Sequence, residues 1–205
     1  MVIAYVGSGG KTSLIKRHAE ECRRRGLKVL ITTSTHMYME EDTLASDDVW
    51  EIIRHMEEAG YVMAGIACGD KIGALSPATY CSVCAHADVV LLEADGSRQL
   101  PLKLPNENEP VIYDNVDEII VVCGLWALGK AAGEVCHRID LVKKFLGISD
   151  ETIIQQEHIY KLVMEGYIHP LRKKYPSAKI SVHANHNAAP EQQVLANLLI
   201  RESRK

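Results

Sequence analysis

Val2-Ile3-Ala4-Tyr5-Val6-Gly7-Ser8-Gly9-Gly10-Lys11-Thr12-Ser13 decides how the rest of the chain is read. An apolar run of strand length enters a glycine-rich turn. From Thr12 to Arg25 the pattern is helical, ending at Gly26, which suits a left-handed helix stop. Glycines let a backbone turn tightly and aim its N–H groups at a polyanion. The helix N-terminus adds partial positive charge and Lys11 a full one. The hydroxyl of Thr12 or Ser13 can reach Mg²⁺. Gly7, Ser8, Gly9, Gly10, Lys11, Thr12 and Ser13 are therefore the nucleotide-binding candidates, with Lys11 also a catalytic one. A plain glycine turn with an exposed lysine is the simpler reading, and the strand–loop–helix context speaks against it.

Working outward, strand-length apolar runs alternate with helical patterns to the end of the chain. Lys28–Thr33 and Tyr61–Ala67 read as strands, and Asp47 or Asp48 caps a helix that Gly60 closes. Ser76-Pro77 starts another helix. Asp88–Glu93, Glu118–Cys123 and Lys179–His183 read as further strands. Residues 138–166 read as helix in two pieces divided around Gly147–Asp150, and Pro190–Arg201 as the last helix. This alternation predicts one α/β domain over residues 1–205, a P-loop NTPase-like three-layer sandwich with a mostly parallel sheet covered on both faces. Ligands of such sheets bind beyond the carboxyl ends of the strands, which singles out the loops after the first, second and fourth long strands.

The bulk numbers narrow the partners. The chain has 205 residues, 47% hydrophobic and 24% charged, with net charge −4. That balance argues against duplex nucleic acid, which needs a basic surface. No apolar run approaches a membrane span and no signal-peptide pattern opens the sequence, so no membrane association is expected. Six scattered cysteines in a chain of this length predict reduced thiols and a cytoplasmic protein.

After the fourth strand, Glu93-Ala94-Asp95 places two carboxylates at the mouth of a buried strand. Alternation along a continued strand would point both the same way. Glu93 and Asp95, with Thr12, are the metal candidates, and Asp95 is also a catalytic one. The second strand ends in Thr32-Thr33-Ser34-Thr35-His36, where hydroxyls and an imidazole suit phosphate contact, metal ligation or positioning of water. Thr33 and Thr35 are candidate anion contacts, and His36 a candidate ligand or general base.

The compact glycine loop has Tyr5 where the usual pattern has its first glycine, and it resembles the shorter loop of the Mur ligases and folylpolyglutamate synthases. Glu93-Ala94-Asp95 is also similar to the Mur ligases' metal-binding segment. Across most of the chain the sequence resembles the selenium-dependent hydroxylase accessory proteins, the YqeC family. The resemblance is carried by Val6–Ser13, Thr32–Met37, Glu93–Arg98, Leu100–Lys103, Glu109–Ile112, Gly124-Leu125, Ala127–Lys130 and His137-Arg138. It implies a role in maturing selenium-dependent molybdenum hydroxylases, with such a hydroxylase or its cofactor-maturation proteins as partners. It also adds Arg98, Lys103, His137 and Arg138 as substrate or anion contacts. Trp126 departs from the family pattern, where a small or acidic residue is expected. Ala184–Ala188 after the last strand lacks the lysine and aspartate of a guanine-reading Asn-Lys-x-Asp, so ATP and GTP both stay open.

Cys81 and Cys84, with His86 nearby, lack a second ligand pair and fall at i and i+3 of a helix, so zinc is not expected there. His18, His55, His158 and His169 read as surface residues without partners. The expected function is Mg²⁺-dependent binding of ATP or GTP with hydrolysis or phosphoryl transfer, its alternative a non-catalytic, nucleotide-gated chaperone or carrier for a cofactor.

Overall fold

A computed structural model of the chain describes residues 1–96, 98–187 and 189–204; Ser97 and Ala188, quoted above, lie outside the described residues. The chain is α/β with a largely parallel, mixed sheet. Its segments gather into two compact units, one of Met1–Tyr5, Thr12–Gly96 and Val111–Asp117, the other of Val6–Lys11, Ser97–Pro110 and Glu118–Lys205.

The first unit is built from β1 (Val2–Gly7, through Tyr5), α1 (Lys11–Arg24, from Thr12), β2 (Val29–Thr33), β3 (His36–Tyr38), β4 (Thr43–Ala45), α2 (Val49–Ala59), β5 (Tyr61–Cys68), β6 (Lys71–Gly73), α3 (Pro77–Cys84) and β7 (Val89–Glu93). Strands β1, β7, β2 and β5 run parallel in that order. Their register aligns Val2, Val90, Leu30 and Val62 in one row and Ile3, Leu91, Ile31 and Met63 in the next. Side chains alternate along strands, so these rows face opposite ways.

The first row packs with Ile52, Ile53 and Met56 of α2 and with Tyr80 and Val83 of α3. On the opposite face Tyr5, two residues beyond Ile3, places its hydroxyl 2.6 Å from Nδ1 of His18 on α1. Helices thus cover both faces, as continuously apolar strands require. Each fully buried aliphatic side chain in these rows contributes roughly 1.5–3 kcal/mol, so cutting Leu91 back to alanine would cost about 2–5 kcal/mol.

The expected helix limits of this unit hold. Asp48 caps α2 by accepting from the amide of Glu51 at 2.8 Å, and Gly60 ends it in the left-handed region. Ser76 caps α3, with Pro77 in its first turn. Strand β4 adds parallel to β5, whereas β6 pairs antiparallel with both β5 and β3. These three-residue strands are too short to show a period in the sequence.

The second unit holds β8 (Leu102–Lys103), β9 (Glu118–Gly124), a 3-10 turn (Leu125–Ala127), α4 (Ala132–Val135), β10 (Cys136–His137) and α5 (Ile139–Leu146). It continues with α6 (Gln156–Val163), a π-helical turn (Met164–Ile168), α7 (His169–Lys174), β11 (Lys179–Asn185) and α8 (Pro190–Glu202). The helical stretch 138–166 is indeed broken after Gly147, and it continues past its expected end into α7. Strand β9 pairs in parallel with β11 from Glu118 opposite Lys179 to Gly124 opposite Asn185. Along β11 burial alternates: Ile180, Val182 and Ala184 are buried, while Ser181, His183 and Asn185 are half-buried on the other face. A second parallel pair aligns Leu102 with Cys136 and Lys103 with His137.

Two histidines expected to lack partners have them. His18 meets Tyr5, and His158 accepts from the amide of Gln155 at 3.1 Å in a capping box at the start of α6. The first contact joins residues from different elements, and the second needs a histidine in a role that glutamate or glutamine usually fills.

Candidate functional site

The phosphate-loop candidate follows β1. Gly7 and Gly9 have φ of +86° and +88°. A Cβ at Gly7 would lie 2.3 Å from the carbonyl oxygen of Val122, and one at Gly9 2.4 Å from the amide nitrogen of Gly124. Both conformation and backbone approach therefore demand glycine at these two positions. The amide of Ser8 donates to Val122 O at 2.9 Å, and that of Gly124 to Pro101 O at 3.0 Å. Lys11 is only 3% exposed, and its Nζ donates to Gly7 O at 2.6 Å. The ammonium is thus drawn back onto the loop it belongs to. Beside the loop, a small cavity in the same unit is lined by Ser8, Pro101, Lys103, Val122, Leu162 and Tyr167 among others.

In the first unit, Thr12 directs its hydroxyl at the acidic strand end, donating from Oγ1 to Oε2 of Glu93 at 3.3 Å. Ser13 is exposed, so Thr12 is the one of the two hydroxyls facing the carboxylate. Glu93 ends β7 and is buried; Asp95 is fully buried. Strand-like bonding persists past Glu93, because the amide of Ala94 donates to Tyr5 O and its carbonyl accepts from Val111, both at 3.0 Å.

Thr33 stands opposite Glu93 in register, and its hydroxyl donates to the Glu93 carbonyl at 2.8 Å and accepts from the amide of Thr35 at 3.0 Å. The end of β2 thereby fixes the end of β7. Thr32 and Ser34 donate their hydroxyls to backbone carbonyls of Ala64 and Val111. These two members of the hydroxyl-rich turn act as structural ties. Thr35 is half-buried beside Thr33, whereas His36 is exposed on β3 opposite Gly73.

Oxygen donors from Thr12, Glu93 and Asp95 suit a hard divalent cation such as Mg²⁺. Among the described residues no three His, Cys, Asp or Glu side chains group as a metal site. An ion held here would complete its shell with water or phosphate oxygens, the habit of Mg²⁺.

The second unit assembles the basic candidates around Glu109. Lys103 Nζ lies 2.8 Å from Glu109 Oε2 with its side chain fully buried. Arg138 grips the same carboxylate with both guanidinium nitrogens, NH2 reaching Oε1 at 2.9 Å. Burial pushes the Glu109 carboxyl up, and the bonds from Arg138 and Lys103 outweigh it, holding the group down at about 2. Arg138 adopts φ 56° and ψ 55°, a left-handed conformation costing a non-glycine residue about 1–2 kcal/mol, and the fork on Glu109 holds it there. His137, beside Lys103 in register, is buried, and burial together with the charges of Arg138, Lys103 and Arg98 lowers its pKa and favours the neutral ring. Arg98 itself is exposed, with φ 48°.

With this geometry in place, the comparison with known sequences is specific: the pattern of the YqeC protein family matches residues 3–140. The chain belongs to the YqeC family. It is also 33% identical over 177 residues to the "Uncharacterized protein YqeC" of Escherichia coli (strain K12), a match covering 79% of this chain and 67% of that relative. No solved structure matches the chain. The family match takes in the glycine loop, the acidic strand end and the basic cluster through Arg138, and it stops short of β11.

Sequence reasoning missed three residues that organise these places. Glu109 was legible only as part of the family stretch, because its cationic partners lie before and well after it in the chain. Asn185 donates from Nδ2 to Gly9 O at 2.6 Å, and His183 lies 2.9 Å from the other end of that amide. The rule favouring carboxyl ends of parallel strands would have found both, had it been extended to the last strand.

Proposed function

We propose that this member of the YqeC family binds ATP or GTP with Mg²⁺ and hydrolyses it or transfers its terminal phosphoryl group. It would do so as a single P-loop NTPase-like domain of three-layer type, serving the maturation of selenium-dependent molybdenum hydroxylases in the cytoplasm. The contact that supports this reading most is Thr12 on Glu93. These residues, 81 apart in sequence, are two of the three expected to share a metal ion, and they meet at 3.3 Å.

The amides of Gly9–Thr12 and the ammonium of Lys11 bind the phosphates, Lys11 exchanging Gly7 O for a phosphate oxygen, while the Ser8 amide stays on Val122 O. Thr12, Glu93 and Asp95 would hold the ion, which when bound would offset charge on the phosphoryl group. Thr33 keeps Glu93 in place through the strand end. Where water attacks the terminal phosphorus, Asp95 or His36 accepts its proton as the bond to the bridging oxygen breaks and the nucleoside diphosphate leaves; a substrate carboxylate attacking instead carries no proton to remove. Thr35, Arg98, Lys103, His137 and Arg138 contact the anionic substrate, with Glu109 ordering Lys103 and Arg138. The positioned charges of Lys11 and the loop amides are the service a protein gives this reaction.

Phosphate release from ATP and GTP, measured with and without a molybdenum hydroxylase, tests the activity. Mg²⁺-dependent release that disappears in Lys11→Ala is expected. Binding without release in either condition would leave a nucleotide-gated carrier instead, and no binding would remove the reading.

A further inference from the structure

We infer that Asn185 is a positioning residue for the phosphate loop, so that the end of β11 serves a ligand's phosphates and not its base. This rests on the phosphate-loop reading above. The peptide between Gly9 and Gly10 is the loop's softest unit, flanked by two residues without side chains at φ +88° and +110°. Flipped, it would turn its carbonyl, the negative end of its dipole, toward a bound anion. Asn185 prevents this from 176 residues away: its Nδ2 donates to Gly9 O at 2.6 Å. The bond is trans, the described cis peptide being Glu109-Pro110, and a trans peptide points its N–H opposite its C=O. Holding the Gly9 carbonyl toward Asn185 therefore aims the Gly10 amide away from it. The amide of Asn185 sits directly on this peptide, since a Cβ at Gly10 would fall 2.4 Å from Nδ2.

The donor inventory fixes the rest of the chain of contacts. Gly9 O only accepts, so Nδ2 must face it, and Oδ1 must face His183. Oδ1 also only accepts, so Nε2 of His183, 2.9 Å away, carries the proton. Residues 183 and 185 share one face of β11 because strand side chains alternate, which is why the pair meets. One N–H and one carbonyl lone pair of the Asn185 amide are thereby engaged, so its orientation is set by Gly9 and His183.

The test titrates Mg²⁺ complexes of ATP, GTP and inorganic tripolyphosphate into wild type, Asn185→Ala and Asn185→Asp. Asn185→Ala is expected to weaken all three ligands by a common factor of about tenfold. Asn185→Asp should weaken them further, because its carboxylate sets an acceptor against Gly9 O. His183→Ala should shift all three ligands the same way by less, and His183→Gln should recover part of that loss. A loss confined to one nucleotide and absent for tripolyphosphate would make Asn185 a base reader and overturn the inference; unchanged affinity for all three would overturn it as well. Wild type that binds none of the three removes the phosphate-loop reading itself, an outcome distinct from a variant matching a binding wild type. Nitrogen chemical shifts of His183 in wild type add a check that needs no variant to fold: a protonated Nε2 is expected, and a bare one contradicts the clamp.

Discussion

Glu93 is a buried carboxylate at the end of β7 and Glu109 a half-buried one in a loop, and they are held in opposite ways. Within its unit Glu93 is met by the Thr12 hydroxyl, and its carbonyl by Thr33. Glu109 is gripped by a fully buried lysine and by the fork of an arginine. The Glu93 carboxylate accepts from a neutral hydroxyl, whereas that of Glu109, gripped by two cations, has its charge committed to the fold. In the proposed function the same residue type recruits an ion at one place and scaffolds the fold at the other.

Swapping the carboxylates for amides should separate these roles. Glu93→Gln is expected to lower affinity for Mg-ATP by about a hundredfold, down to the value seen with the metal chelated. Glu109→Gln should instead act on stability, costing about 3 kcal/mol in urea unfolding, because it leaves buried Lys103 facing a neutral amide. If the two variants behaved alike, the contrast would be broken.

Thr12 sharpens the first half: Thr12→Val should weaken Mg-ATP by about tenfold, with Thr12→Ser close to wild type. Acid titration sharpens the second. Glu109 is held at about 2 against an ordinary 4.5, so its stabilising contribution is complete above pH 4.5 and is lost as pH falls through about 2. Glu109→Gln should flatten stability across that window, as followed by circular dichroism at fixed urea. The smallest effect belongs to a cap outside both regions. Asp48→Ala should cost about 1 kcal/mol and leave nucleotide affinity unchanged.

Most long strands were legible as apolar runs and β11 by its alternation, α2 and α3 by their Asp48 and Ser76 caps, and α3 and α8 by the proline in the first turn. Strands β3, β4 and β6 were not, since three residues show no period and their pairing is decided by β5. The loop and the acidic triplet were legible as local motifs. Their contact through Thr12 required the parallel register of β1 and β7, which brings Tyr5 beside Glu93. Of the four hydroxyls at the end of β2, Thr32, Thr33 and Ser34 donate to backbone carbonyls of other strands and loops, a commitment that sequence chemistry did not show when it singled out Thr33 and Thr35. Glu109 and Asn185 act through residues far away in the chain, contacts that no local pattern carries.

The most direct test of the central claim is calorimetric titration of ATP and GTP into the purified protein, with Mg²⁺ and with the metal chelated, beside Lys11→Ala. The account predicts micromolar, Mg²⁺-dependent binding of at least one nucleotide by wild type and its loss in Lys11→Ala. Absence of binding in wild type, or affinity in Lys11→Ala equal to wild type, would contradict it.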